Sequence, residues 1–173
     1  MKSGTTVGGM ILAVGLLAAV QPAAANNIAV VNVVLKNQDV AAKTVQVQFD
    51  LSWDNSWRSA AADPAYTNWD AAWVFVKVKD AAGNWRPATL STNSADHTPA
   101  ANSTIDPASD GTGAFVYRSA DYGGAVAYTG TRLRWNYGAD SFGAFAAGAV
   151  VTVAVQAIEM VYVPQGAFSL GSG

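Results

Sequence analysis

Between Thr44 and Trp53 the chain alternates without a break. Val45, Val47, Phe49, Leu51 and Trp53 are large and apolar, while Thr44, Gln46, Gln48, Asp50 and Ser52 between them are polar. Successive side chains of an extended strand point to opposite faces, so this period of two specifies a strand buried on one face and wet on the other. A slip of one residue would send all five large side chains into solvent, which fixes the register strongly.

The same period recurs along the chain. Ile28 to Leu35 reads as a weaker first strand. Trp73 to Lys79 alternates Val74, Val76 and Val78 with Trp73, Phe75, Lys77 and Lys79. The turn Asp80-Ala81-Ala82-Gly83-Asn84 follows, and Trp85 to Leu90 resumes as the return strand of a hairpin, with Gly83 in a conformation that other residues avoid. Ser91 to Gly113 is rich in Ser, Thr, Asn, Asp, Pro and Gly with only Ile105 strongly apolar, so a long loop is expected there. Strands resume at Ala114 to Arg118, at Thr131 to Trp135 and at Ala149 to Val163, the last long enough to bend or bulge near Glu159. About seven strands, no amphipathic helix and Gly-rich turns predict an all-β fold, an antiparallel β-sandwich of immunoglobulin-like or jelly-roll-like type.

Lys2 and an apolar run from Met10 to Val20, followed by Pro22 and the small residues Ala23, Ala24 and Ala25, read as a secretory signal peptide over residues 1–25. Eleven apolar residues are too few to span a bilayer, which takes roughly 20. The expected mature protein is exported, to the periplasm or the exterior, with no transmembrane segment. Removing Lys2 with the leader leaves nine Lys and Arg against twelve Asp and Glu, with no basic run, so nucleic acid is not the expected partner. The chain holds no cysteine, and its stability must come from burial, to which six Trp contribute.

Little in the sequence points to chemistry. The single His, His97, sits in the polar loop beside Asp96, where a solvated side chain is expected. With no Cys or second His a zinc site does not fit, and with no G-x-S-x-G elbow a Ser-His-Asp site built on His97 does not fit either. Asp96, Asp106 and Asp110 share that loop without the spacing of a calcium loop. Asn102-Ser103-Thr104 matches a glycosylation sequon and fits an exposed segment. Asp54 and Asp70 each follow a Trp, as a pair of glycosidase carboxylates would, but turn chemistry after one strand and before the next explains both. No catalytic residue, metal or cofactor is therefore expected.

The aromatics carry a sharper expectation. Trp57, Tyr66 and Trp69, with Asp54, Arg58 and Asp70 close by, lie between two strands. Exposed rings flanked by polar groups are how a β-sandwich holds a glycan or cell-surface ligand. The competing reading is that these rings close the end of the core.

Five segments bear on identity: QFDLSWDNSWR (48–58), NWDAAWVFVKVKDAAGNWRPATL (68–90), GAFVYRSADYGG (113–124), RLRWNYG (132–138) and AIEMVYVPQGAFSLGSG (157–173). Together they resemble the secreted N-terminal region found ahead of formylglycine-generating-enzyme-like (sulfatase-modifying-factor) domains in some bacterial proteins. The last segment is similar to the opening of the enzyme domain itself, with Gln165 where Gly is usual and Leu170 where Met is usual. The resemblance divides the chain into a leader (1–25), a β-sandwich module (26–158) and the start of an enzyme-like domain (159–173). It implies a non-catalytic module that precedes and positions that domain, its partner within the same parent chain. Such enzymes oxidise a substrate Cys with O₂ through a copper-binding Cys pair, ligands that would lie beyond Gly173, so no catalytic residue carries over. A carbohydrate- or surface-binding module and a structural or filament subunit are the alternatives.

Overall fold

The computed structural model describes residues 26–59, 68–142 and 150–161. The expected leader, Tyr66 and residues 162–173 lie outside these ranges. Among the described residues the regular elements are eight strands and a single 3-10 turn: β1 (Ala29–Asp39), β2 (Thr44–Ser59), β3 (Asn68–Lys79), β4 (Trp85–Pro87), the turn Ser94–Asp96, β5 (Ser103–Pro107), β6 (Ala114–Arg118), β7 (Tyr122–Trp135) and β8 (Val153–Val161). Among the described residues every strand pairing is antiparallel, in keeping with the expected all-β fold.

Two groups of strands make the structure. In the first, β2 pairs with β1 and β7. In the second, β3 pairs with β8, β6 and β4, and β5 extends the group through β6. The groups meet where Arg58 and Ser59 at the end of β2 pair with Trp69 and Asn68 at the start of β3. The alternation of β2 is realised in full: Val45, Val47, Phe49, Leu51 and Trp53 are all buried. Ala72, Val74, Val76 and Val78 of β3 meet them in one core with Val116 of β6 and Leu133 and Trp135 of β7. The hairpin at Asp80 also forms as its sequence predicts, with Gly83 at φ 82 and Asp80 accepting bonds from Ala82 N, Asn84 N and Arg86.

Four local expectations are corrected. The first strand pair is longer than its apolar signal, with β2 continuing past Trp53 through a bulge in which Asn55 takes the left-handed conformation at φ 56. Asp54-Asn55 is thus an interruption within a strand, because Asn tolerates that backbone region where most residues do not. Second, the segment after Ser91 is built rather than loose. It contains β5, whose Ser103 and Ile105 turn inward, and a strap that bonds along the free edge of β7. In that strap Ser91 N donates to Arg134 O, and Thr98 and Arg132 exchange backbone bonds.

Third, His97 is buried at 6% exposure rather than solvated. Arg134 N–H donates to its Nδ1 at 3.0 Å, so the ring proton sits on Nε2, which bonds Ser91 O at 2.9 Å. Burial pushes this imidazole below its usual pKa. Fourth, β8 pairs with β3 in one unbroken register from Val153 to Val161, with no bulge at Glu159.

Candidate functional site

The inward residues of β3 are Asp70, Ala72, Val74, Val76 and Val78, so Trp69, Ala71, Trp73, Phe75 and Lys77 form the outward row. Registers with the neighbouring strands complete that face. β8 sets Met160 against Ala71 and Ile158 against Trp73. β6 sets Phe115 against Trp73, and the same register carried on by one residue sets Tyr117 against Ala71. β5 adds Asp106 opposite Phe115. The outer face of this group is therefore aromatic and aliphatic, with Ile158 53% and Met160 45% exposed. The outward row of β2 is instead Gln46, Gln48, Asp50 and Ser52 beside Arg132 and Arg134 of β7. Chains that bury one face of a sheet normally wet the other, so the apolar outer face is the feature that calls for a partner.

The rings on this face are ordered by contact. Trp73 and Phe115 lie with centroids 4.8 Å apart, and Trp69 and Tyr117 5.8 Å apart at 30° between planes. Arg58 places its guanidinium 5.4 Å from the Trp69 centroid and 5.7 Å from that of Tyr117. Gly113 holds Trp73 in place by omission, since a Cβ there would come within 2.5 Å of the indole.

Ala71 is the one small residue in the middle of this surface. With Trp69 and Trp73 two positions away along the strand and Met160 and Tyr117 across it, Ala71 becomes the floor of a pit. It is only 7% exposed although it points outward. The resulting cavity has a volume of about 380 Å³, with Trp69, Phe115 and Tyr117 in its walls. Met160 and Val161 close it on the β8 side, and Asp106 stands at the β5 side. Burial raises the Tyr117 pKa, Asp106 adding to the shift and Arg58 opposing it, so both charges bear on this ring.

The residues singled out in the sequence separate into two groups. Trp69 and Arg58 belong to the aromatic face. Asp70 is fully buried beneath it and accepts bonds from Trp53 Nε1 (2.5 Å), Ser56 Oγ (2.9 Å) and Trp57 N (3.0 Å). Its carboxylate thereby ties the stretch beyond the β2 bulge to β3, and its surroundings are protein. Trp57 does not pair with Trp69; its Nε1 donates to Asn68 Oδ1 at 2.7 Å. Asp54 sits in the bulge and accepts a bond from Asn27 Nδ2. Tyr66 lies outside the described residues. Sequence reasoning passed over Trp73, Phe115, Tyr117, Ile158 and Met160, which look like ordinary strand residues until the register places them side by side.

The acidic residues of the long segment do not converge. Asp96 accepts from Ser91 Oγ and pairs with Arg134 at 2.9 Å, which together hold its carboxyl below the usual range. Asp110 caps a turn at Thr112, and Asp106 lies on the aromatic face. Among the described residues no three His, Cys, Asp or Glu are grouped to hold a metal. A smaller cavity of about 280 Å³ lies near Leu35, Val45, Trp135 and Val151, where Gln38 Nε2 already bonds the Tyr137 hydroxyl. Among the described residues no helix is long and apolar enough to cross a membrane. No protein-family model, curated protein or solved structure matches the chain.

Proposed function

We propose that this chain is a non-catalytic β-sandwich module, exported behind its leader, that precedes and holds in position a formylglycine-generating-enzyme-like domain opening at Glu159. The observation that carries the reading is β8. It is bonded to β3 over nine consecutive positions, from Val78 opposite Val153 to Asp70 opposite Val161. With the enzyme-like segment opening at Glu159, β8 would run across the boundary, and it contains no Pro, Gly or Ser between Val153 and Val161. A strand fixed along its whole length transmits the orientation of its sheet to whatever follows, where a flexible linker would not. Its final residues, Met160 and Val161, also form one wall of the aromatic face, so a following domain starts beside an apolar surface.

Reading the source DNA past the codon for Gly173 tests the first half. A frame that continues into a sulfatase-modifying-factor-type domain supports the proposal, and a stop codon overturns it. Limited proteolysis of the encoded protein tests the second half: cleavage between Val153 and Val161 under native conditions would show that the two parts are loosely tethered.

A glycan-binding reading draws on Trp69 and Arg58, which share an open sheet face. Polar groups around those rings are few, however, and sugars need them. Tryptophan emission that stays unmoved across a panel of soluble glycans would remove this reading. A filament subunit would need an open edge strand, and β1 is such an edge, but register shifts between Val31 and Val34 and between Lys36 and Asp39 interrupt it. Interruptions of this kind oppose edge-to-edge extension.

A further inference from the structure

We propose that the pit over Ala71 is a binding site for a small quaternary ammonium cation. This goes beyond the positioning role and is independent of whether a domain follows β8. Three aromatic side chains, Trp69, Phe115 and Tyr117, line the pit, and the negative faces of such rings attract a cation. The molecule shows this preference on the same surface, where Arg58 stands over Trp69 and Tyr117 and Lys77 lies 6.0 Å from the Phe75 centroid. Neither cation is part of the pit lining.

Charge points the same way. Asp106 brings a carboxylate to the pit, and the salt bridges of the described residues engage Asp121, Asp80 and Asp96 but not Asp106. A cation arriving there would meet the rings together with a carboxylate that no salt bridge among the described residues engages. The Arg58 guanidinium beside Trp69 and Tyr117 is itself engaged by Asp121 and Arg118 O.

The hydrogen-bonding inventory selects the kind of cation. The strong side-chain acceptors in the lining are the Asp106 carboxylate and the Tyr117 hydroxyl; Ala71, Phe115 and Val161 offer none, and Met160 only its weakly accepting sulfur. A primary ammonium carries three N–H donors, and seated in the pit it would exchange full hydration for acceptors on one side and apolar walls on the other. A quaternary ammonium has no donors to satisfy, and its methyl groups pack against the same walls. A volume of about 380 Å³ accommodates a group of that size.

The test is a tryptophan-fluorescence titration of the full chain with choline chloride and with tetramethylammonium chloride, at ionic strength held constant with NaCl. The uncharged isostere 3,3-dimethylbutan-1-ol serves as the control. The expected result is saturable change with both cations and binding of the isostere weaker by about tenfold. Asp106→Asn, an exposed substitution, should weaken choline binding about fivefold or more while leaving the isostere unchanged. Ala71→Leu should abolish binding of all three by filling the pit. Should that variant unfold, shown by its urea midpoint, Ala71→Val takes its place. Equal binding of cation and isostere would overturn the proposal, as would no saturable response to either cation or full binding by a folded Ala71 variant.

Discussion

Replacing Asp70 tests the joint between the two strand groups. The carboxylate is fully buried and receives three donors, from Trp53 Nε1, Ser56 Oγ and Trp57 N. Asp70→Ala would strand all three. Each unsatisfied buried donor costs about 1–3 kcal/mol, and donors sharing one acceptor group are not additive, so the expected loss is about 3–5 kcal/mol. That is a large share of the roughly 5–15 kcal/mol that holds a domain of this size together. At about 2–4 °C per kcal/mol, the midpoint of thermal unfolding should fall by about 6–20 °C.

Asp70→Asn is a finer probe. With the amide oxygen toward Ser56 and Trp57 N–H, its NH₂ faces the Trp53 Nε1–H; flipped, the NH₂ faces Trp57 N–H. Either orientation sets the NH₂ against one N–H donor, so a loss of about 1–3 kcal/mol is expected despite near-identical shape. Adding Trp53→Phe removes the opposing donor, and the pair should show coupling of at least about 0.5 kcal/mol in a double-mutant cycle. The assay is urea unfolding with a check that the slope is unchanged. An Asp70→Ala protein within about 1 kcal/mol of the parent at equal slope would refute the reasoning, since buried donors could not then depend on this carboxylate.

Three further outcomes follow from the same geometry. Phe49→Ala, at 0% exposure in the centre of β2, should cost about 3–5 kcal/mol in urea unfolding; a loss below about 1 would mean that the core is not packed as described. Gly113→Ala should displace the Trp73 indole, because the new Cβ falls within 2.5 Å of it, and should change the near-ultraviolet circular dichroism without abolishing the far-ultraviolet strand signal; an unchanged near-ultraviolet spectrum would contradict this contact. His97 has a folded pKa below its ordinary value because burial disfavours the charged ring, so the unfolded chain takes up the proton first. Stability should therefore be fully present above about pH 6.5 and decline as pH falls from there through the folded pKa, with the lowered pKa of Asp96 adding a second loss only below about pH 4. A urea midpoint that stays flat between pH 7.5 and 5 would show that His97 is not held between Ser91 O and Arg134 N.

The parts of this fold legible in the sequence are those set by local period. β2, the second half of β3 and β6 announce themselves because one face of each is buried by apolar residues at every second position. The first half of β7 gives little such signal, as its pairing partners opposite Ser56 and Trp57 are Gly124 and Gly123, residues with no side chain to alternate. β5 is hidden for a related reason, since Ile105 is its one large inward residue and Pro107 ends it. His97 misleads because polar neighbours predict exposure, while the strap that buries it is held by backbone bonds to β7 that no local pattern encodes.

The site was less legible than the fold, and Ala71 shows why. Within its own strand it is a small residue between two Trp at alternate positions, unremarked in any scan for chemistry. Its meaning comes from three registers at once: Met160 from a strand nearly ninety residues later, Tyr117 from another, and Asp106 from the strand beyond that. Trp57 and Trp69 suggested a site by proximity in sequence, yet the two rings part company, Trp57 to Asn68 and Trp69 to Tyr117 and Arg58. A sheet assembles its outer surface from residues distant along the chain, so chemistry carried on that surface is spread across segments that look unrelated. The corollary is specific: substitutions that bear on ligand uptake should cluster on the outward rows of β3, β6 and β8, while those that bear on stability should cluster on the inward rows of the same strands and at Asp70. A functional loss that tracked the inward rows alone would place the working surface elsewhere on the molecule.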